Sequence, residues 1–307
     1  MKRFICRSLL FLLPVFAVLA GWEIWMRNFP HVFRYKKTVI VEKCRKDGEI
    51  VFLGNSHAFF GVNTDVIPHA YNLAFAAQKL HQDLYIFKYL VSKPTHLKCV
   101  AVPISVFSLF SFKSDFEDWR ERDYVRYWGY PANKFADHFY ILDNVPLQLV
   151  YVRKTRKKIS SKGICGALGM TPTGWGISYK NAMDFDKFET LGATAALRHC
   201  SVDMNDTREF DALKSLIRLA QQHGIKVILF TSPAHKSYYT KLNPLQLKKM
   251  HSLIAGLTTE KGVYYLDLLQ SDAFEKEDFY DPDHMVHKGA KKLALILFEF
   301  YKKTVLQ

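Results

Sequence analysis

The stretch EIVFLGNSH, residues 49–57, decides how this chain is read. Residues 50–53 are a continuous apolar run too short for a buried helix, the pattern of a strand covered on both faces in a parallel sheet, and Gly54-Asn55-Ser56 ends it in a turn. Working outward, four more short apolar runs share that character: residues 71–75, 99–104 (CVAVPI), 226–231 (KVILFT) and 263–268. Amphipathic segments separate them. Phe210, Leu213, Leu216, Ile217 and Ala220 form one stripe at helical spacing, Asp206 and Glu209 have capping-box spacing ahead of it, and Gly224 is placed to stop the helix. Residues 80–91 and 245–257 predict further helices, and residues 289–303 close the chain with Leu293, Ile296, Leu297 and Phe300 inward. Strand alternating with helix predicts an α/β domain with a parallel sheet.

At 307 residues the chain allows one large domain or two small ones, and 49% hydrophobic against 23% charged content excludes disorder as a description of the whole. Its net charge of +14 suits anionic surroundings: lipid headgroups, envelope polymers or nucleic acid. The first residues narrow that choice. Lys2, Arg3 and Arg7 precede or open an uncharged run of 15 residues, SLLFLLPVFAVLAGW at 8–22, and Trp22 and Trp25 suit an interfacial aromatic belt. Residues 1–27 are expected to be a retained signal anchor that holds the body in the membrane on the side away from the cytoplasm. Val18 and Ala20 also make an acceptable cleavage site, so removal of the leader stays open as the alternative. An exported body argues against a nucleic-acid partner.

Residues 28–48 read as a linker and 49–307 as the α/β domain, with an insertion at about 106–205 where the strand and helix rhythm is lost. Inside that insertion, residues 144–183 contain no acid but hold Arg153, Lys154, Arg156, Lys157, Lys158, Lys162 and Lys180. The run is either a solvated basic face or a patch for anionic lipid or an acidic glycan, and the aromatics at 123–130 (DYVRYWGY) and 173–176 (TGWG) support the second. Cys6, Cys44, Cys99, Cys165 and Cys200 lack metal-ligand spacing. Reduced, buried thiols are the favoured reading, and Cys165 with Cys200 is the pair to test in an oxidising compartment.

Ser56 falls at the carboxyl end of the first strand, where open α/β sheets place their ligands. Far along the chain, FYDPDHMVHKGA at 279–290 puts Asp281 three residues before His284 and just ahead of the last helix. A carboxylate so placed can hold the imidazole Nδ1–H while Nε2 faces a hydroxyl. His57 is expected behind Ser56, and His235, in TSPAH after the fourth strand, on the same rim.

In these blocks the chain resembles the SGNH/GDSL hydrolase superfamily, with Gly54-Asn55-Ser56 standing for its Gly-Asp-Ser block and Asp281-Pro282-Asp283-His284 for its Asp-x-x-His block. The resemblance covers about 49–105 and 206–304. It implies a three-layer α/β/α domain with a five-stranded, flavodoxin-like parallel sheet, Ser56 as nucleophile, His284 as general base and Asp281 as its orienting partner, with no metal and no organic cofactor. The second block aligns with Asn72-Leu73-Ala74-Phe75-Ala76-Ala77-Gln78, with Ala in place of Gly, so Ala76 or Ala77 is expected to offer the oxyanion a backbone N–H. The third block, Gly-x-Asn-Asp, is missing; Pro103-Ile104-Ser105 stands there, which makes Ser105 a candidate donor. Asn55, His57, His235 and Trp175 are expected around the substrate. An anchored domain of this sort also resembles DltD-like and alginate-acetylation proteins. That implies a serine esterase or O-acyltransferase working on acyl groups of a cell-envelope glycan through an acyl-enzyme, with a membrane-bound O-acyltransferase as a candidate partner. The two degraded oxyanion blocks keep a second reading open, a membrane-anchored binding or assembly protein for envelope polysaccharide.

Overall fold

The run at 50–53 forms an interior strand of a parallel sheet, as it predicts. In the computed structural model β1 (Ile50–Phe52), β2 (Ala70–Asn72), β3 (Cys99–Pro103), β4 (Lys226–Thr231) and β5 (Val263–Asp267) make one sheet in the order β2-β1-β3-β4-β5, with every neighbouring pair parallel. This is the flavodoxin-like order. β1 and β3 are buried along their whole length, which is why neither shows polar alternation.

The longer helices, in chain order, are α1 (Lys2–Asn28), α2 (Val41–Asp47), α3 (Leu80–Val91), α4 (Val145–Ala167), α5 (Phe188–His199), α6 (Arg208–Gln222), α7 (Pro244–Leu257) and α8 (His287–Thr304). Right-handed crossovers put α3, α6 and α7 on one face of the sheet and α8 on the other, giving three layers. α6 packs against α3. Its Leu213, Leu216 and Ile217 are fully buried, and at about 1.5–3 kcal/mol for each such side chain this stripe, more than helix propensity, holds α6 in place. Gly224, at φ +70°, lets the Ile225 N–H reach the Ala220 carbonyl at 2.9 Å and so ends the helix. The expected capping box does not form. Asp206 accepts from the Arg208 N–H at 3.0 Å, whereas Glu209 is buried and accepts from the His81 N–H at 3.1 Å, satisfying an open amide in the first turn of α3 instead of its own helix.

The structure describes residues 1–113, 120–131 and 134–307, and the chain divides into two units: Met1–Tyr35 with Glu117–Leu168, and Lys36–Phe116 with Gly169–Gln307. Two boundaries read from the sequence change accordingly. Residues 28–48 are not a linker, because Lys36, Ile40, Val41 and Cys44 are wholly buried in the α/β unit. The stretch 106–205 is not one insertion: Glu117–Leu168 groups with α1, and the segment from Gly169 belongs to the α/β unit, where Trp175 and Phe188 share a core with Phe279, Met285 and Ala290. Cys44, Cys99, Cys165 and Cys200 are free thiols, so the Cys165–Cys200 bond is not formed. Cys165 Sγ donates to the Tyr35 hydroxyl at 3.2 Å, and Cys200 Sγ accepts from the Asn243 N–H at 3.2 Å.

Gly54 is required at the end of β1. It has φ +102°, and a Cβ there would sit 2.4 Å from the Pro103 ring. Gly54→Ala is expected to cost on the order of 2–6 kcal/mol, combining backbone strain and overpacking of about 1–3 kcal/mol each. Thermal unfolding of the full chain in detergent measures it, and an unchanged midpoint would contradict the close approach.

Candidate active site

The turn after β1 delivers Ser56 to the carboxyl rim. Leu53 N–H still bonds to the Ala101 carbonyl at 3.0 Å; then the Asn55 side chain accepts from the His57 N–H at 3.0 Å and caps the single helical turn Ser56–Phe59. Ser56 therefore sits half-buried where the strand order reverses between β1 and β3, the usual ligand crevice of such sheets. On the approach to α8, the short antiparallel pair of Phe279–Asp281 with His284–Met285 sets Asp281 opposite His284. His284 Nε2 is 2.8 Å from Ser56 Oγ, and its Nδ1 is 3.0 Å from both Asp281 oxygens. Asp281 Oδ1 also accepts from the Asp283 and His284 N–H groups at 3.0 and 2.9 Å, so one carboxylate both closes the turn and orients the ring.

A second carboxylate lies behind the ring. Asp283 is buried, with Oδ1 3.4 Å from His284 Nδ1 and Oδ2 3.6 Å from His57 Nε2 and 3.8 Å from His199 Nδ1. His57 Nδ1 lies 2.7 Å from Ser105 Oγ, and His199 Nδ1 lies 2.8 Å from the Tyr238 hydroxyl. Burial by itself lowers the His284 pKa, but the charge of Asp283 and the hydrogen bonds of Asp281 and Asp283 outweigh it and raise the imidazole to about 10. Burial pushes Asp283 up, yet the three imidazoles around it hold it well below the usual carboxylate range. His199 is driven down to about 3, chiefly by burial, and is neutral. His57, Asp283 and His284 bring potential ligand atoms within 4.8 Å of one another, but each also faces a neighbour in the chain from Ser105 to Ser56.

The segment after β2 is tied to the turn that carries Ser56 by buried polar groups. Asn72 Oδ1 accepts from the Ala74 N–H at 3.0 Å, the Phe75 N–H bonds to the Gly54 carbonyl at 3.1 Å, and Asp83 Oδ1 accepts from both Gly54 N–H (2.7 Å) and Gln78 Nε2 (2.5 Å). Burial raises Asp83 to about 7 against the effect of those two bonds. Lys36 Nζ donates to the Ala74 carbonyl at 2.5 Å and lies over the Phe59 and Phe75 rings at 4.3 and 4.5 Å, where burial drives its pKa far below that of an ordinary lysine. Within this braced turn Ala77 holds φ +59°, a left-handed conformation that glycine adopts most readily. Ser105 is engaged by its neighbours: its N–H donates to Ser108 Oγ at 2.9 Å and its hydroxyl lies 2.7 Å from His57 Nδ1.

The residues expected around the substrate act as supports. Asn55 is a cap, His57 is buried with its ring 5.3 Å from that of His284, and Trp175 is buried with Nε1 donating to the Phe60 carbonyl at 2.9 Å. His235 receives the Ser237 N–H on Nδ1, while its own N–H donates to the Pro282 carbonyl at 2.8 Å and braces the Asp281 turn. Tyr179, Lys36 and Asp83 were not anticipated. Tyr179 stacks on Tyr280 at 4.0 Å and stands edge-on to His284 at 5.4 Å, an aromatic wall for the imidazole. An acid on the apolar side of α3 was the available signal for Asp83; Lys36 lay in the supposed linker.

Residues 191–302 match the family model of the DltD protein, a stretch that contains Asp281 and His284 but not Ser56. Two solved structures align along most of the chain. One, provisionally described as a platelet activating factor from Streptococcus pneumonia, is 9% identical with a TM-score of 0.42, covering 95% of this chain and 98% of its own. The other, provisionally described as an acylhydrolase from Bacteroides fragilis, is 13% identical with a TM-score of 0.39, covering 91% and 98%. No curated protein sequence matches the chain.

Proposed function

We propose, for a chain that is DltD-like over residues 191–302, that it is a serine-dependent esterase or O-acyltransferase acting on acyl groups of a cell-envelope glycan. The carrying observation is the continuous contact Ser56 Oγ to His284 Nε2 to Asp281 across 228 residues of sequence. Ser56 Oγ attacks the acyl carbonyl and passes its proton to His284 Nε2, with Asp281 holding the imidazolium. Backbone N–H groups of Ser56 and of the turn at Ala76 and Ala77 take the oxyanion. Collapse returns the proton to the departing oxygen and leaves an acyl-enzyme; a sugar hydroxyl or water, deprotonated by the same His284, then removes the acyl group. α1, whose Arg7–Asn28 segment is long and apolar enough to cross a membrane, anchors the chain with its α/β unit outside the cytoplasm, beside a membrane-bound O-acyltransferase that supplies or consumes the acyl group. The engagement of Ser105 by His57 favours the alternative, a binding or assembly protein with weakened oxyanion support.

The pH dependence of covalent labelling tests the proposal. With His284 raised to about 10, only about one molecule in 10³ carries the neutral base at pH 7. Reaction of Ser56 with a fluorophosphonate is therefore expected to accelerate about tenfold per pH unit from neutrality towards about pH 10. Asp283→Asn, which removes the largest influence raising that pKa, moves the limb to lower pH. Labelling that is absent at every pH on folded protein would favour the binding reading. The raised imidazole also contributes stability below the ordinary histidine pKa, and that contribution is lost as pH rises through about 10.

A further inference from the structure

The unit formed by Met1–Tyr35 and Glu117–Leu168 collects most of the chain's exposed large apolar groups. Besides those along α1, Phe135, Leu142, Leu147, Leu149 and Val150 are exposed, at 76, 55, 64, 51 and 47%. The same unit carries the densest positive charge: Arg153, Lys154, Arg156, Lys157, Lys158 and Lys162 are all exposed in a stretch without a single acid from 144 to 183, and none of the six enters an ion pair among the described residues. α4 orders these groups. Gln148, Val152 and Thr155 are its buried face, so helical spacing turns Leu149, Val150, Arg153, Lys154, Arg156 and Lys157 outward, apolar in the first turns and cationic after them.

Contacts fix where that face stands along α1. Trp22 Nε1 donates to Gln148 Oε1 at 2.8 Å, at the residue where the uncharged run ends, and buried Glu23 accepts from the Tyr140 and Ile141 N–H groups at 2.7 and 3.1 Å. About one helical turn further, the Arg156 guanidinium lies 5.6 Å from the Trp25 ring. The apolar turn of α4 thus meets α1 where its hydrocarbon-compatible stretch stops, and Arg156 of the cationic run meets it at the level of the second tryptophan, where headgroups lie beside a spanning helix.

We infer that α4 lies on an anionic bilayer surface, with Leu147, Leu149 and Val150 in the interfacial layer and the six cations against lipid phosphates. The inference rests on the reading of α1 as a membrane span. It is tested on the full chain in nanodiscs of phosphatidylcholine alone or mixed with phosphatidylglycerol, by hydrogen exchange of peptides from α1 and α4. Peptides covering 147–162 are expected to exchange several-fold more slowly in the mixed discs. That protection should fade as salt rises from about 0.1 M to about 1 M, where the Debye length falls from about 10 Å to about 3 Å. It should also be missing in the R153Q/K154Q/R156Q/K157Q/K158Q variant, while α1 stays protected throughout. Equal exchange in both discs with α1 protected would overturn the surface contact alone. Free exchange of α1 would overturn the span and the contact together. Protection that appears in phosphatidylcholine discs only on adding alginate would assign the face to an acidic glycan and overturn the lipid assignment.

Discussion

Ser56→Ala is expected to lower turnover of a generic acyl ester by about 10⁴- to 10⁶-fold and to abolish the single fluorophosphonate adduct on its peptide. The size of the effect follows from the geometry. Among the described residues, the hydroxyl bonded to His284 Nε2 is Ser56 Oγ at 2.8 Å, and the neighbouring Ser105 bonds to His57, so no second nucleophile among them is placed to replace it. The substitution leaves the cap of Asn55 on the His57 N–H and the Gly54 turn intact, so the fold is expected to survive. Full-length protein in detergent, assayed for ester hydrolysis and by intact mass, decides the matter. Residual turnover within about tenfold of the parent would remove Ser56 from the reaction.

Asp281→Asn should cost on the order of 10⁴-fold in turnover, whereas Asp283→Asn should raise it at neutral pH. Both carboxylates are near the imidazole, but they serve it differently. Asp281 meets Nδ1 with both oxygens at 3.0 Å; an amide there can donate to Nδ1, which places the proton on Nε2 and leaves nothing to accept from Ser56. Asp283 approaches the same nitrogen at 3.4 Å and spends its other oxygen on His57 and His199. Its charge makes His284 harder to deprotonate, so its removal is expected to raise neutral-pH turnover, about tenfold for each pH unit by which the limb moves down. Kinetics of both variants, with circular dichroism as the control for folding, separate the roles. A larger loss at Asp283 would transfer the orienting role to it, and full activity in both would remove the triad.

What the sequence determined by itself is local. A strand buried on both faces must be continuously apolar, so the five strands were legible as short runs, and a helix must repeat its apolar residues every three or four, so α3, α6, α7 and α8 were legible to within a few residues. That Ser56, His284 and Asp281 meet was legible for the same reason: Ser56 ends a strand and Asp281 precedes His284 at fixed spacing, so backbone position brought the three side chains together. Tertiary structure decided what long-range polar contacts control. Lys36 meets a carbonyl 38 residues away, Asp83 an N–H 29 residues away, and His57 a hydroxyl 48 residues away. Each of these groups is charged or polar and buried, and desolvation makes such burial tolerable only when a partner is present, yet the partner's place along the chain follows from no periodicity. Trp175 went to the core, Ser105 met His57, and residues 117–168 joined α1 for that reason: past the end of a strand, the direction of a side chain is set by whichever distant segment packs over it.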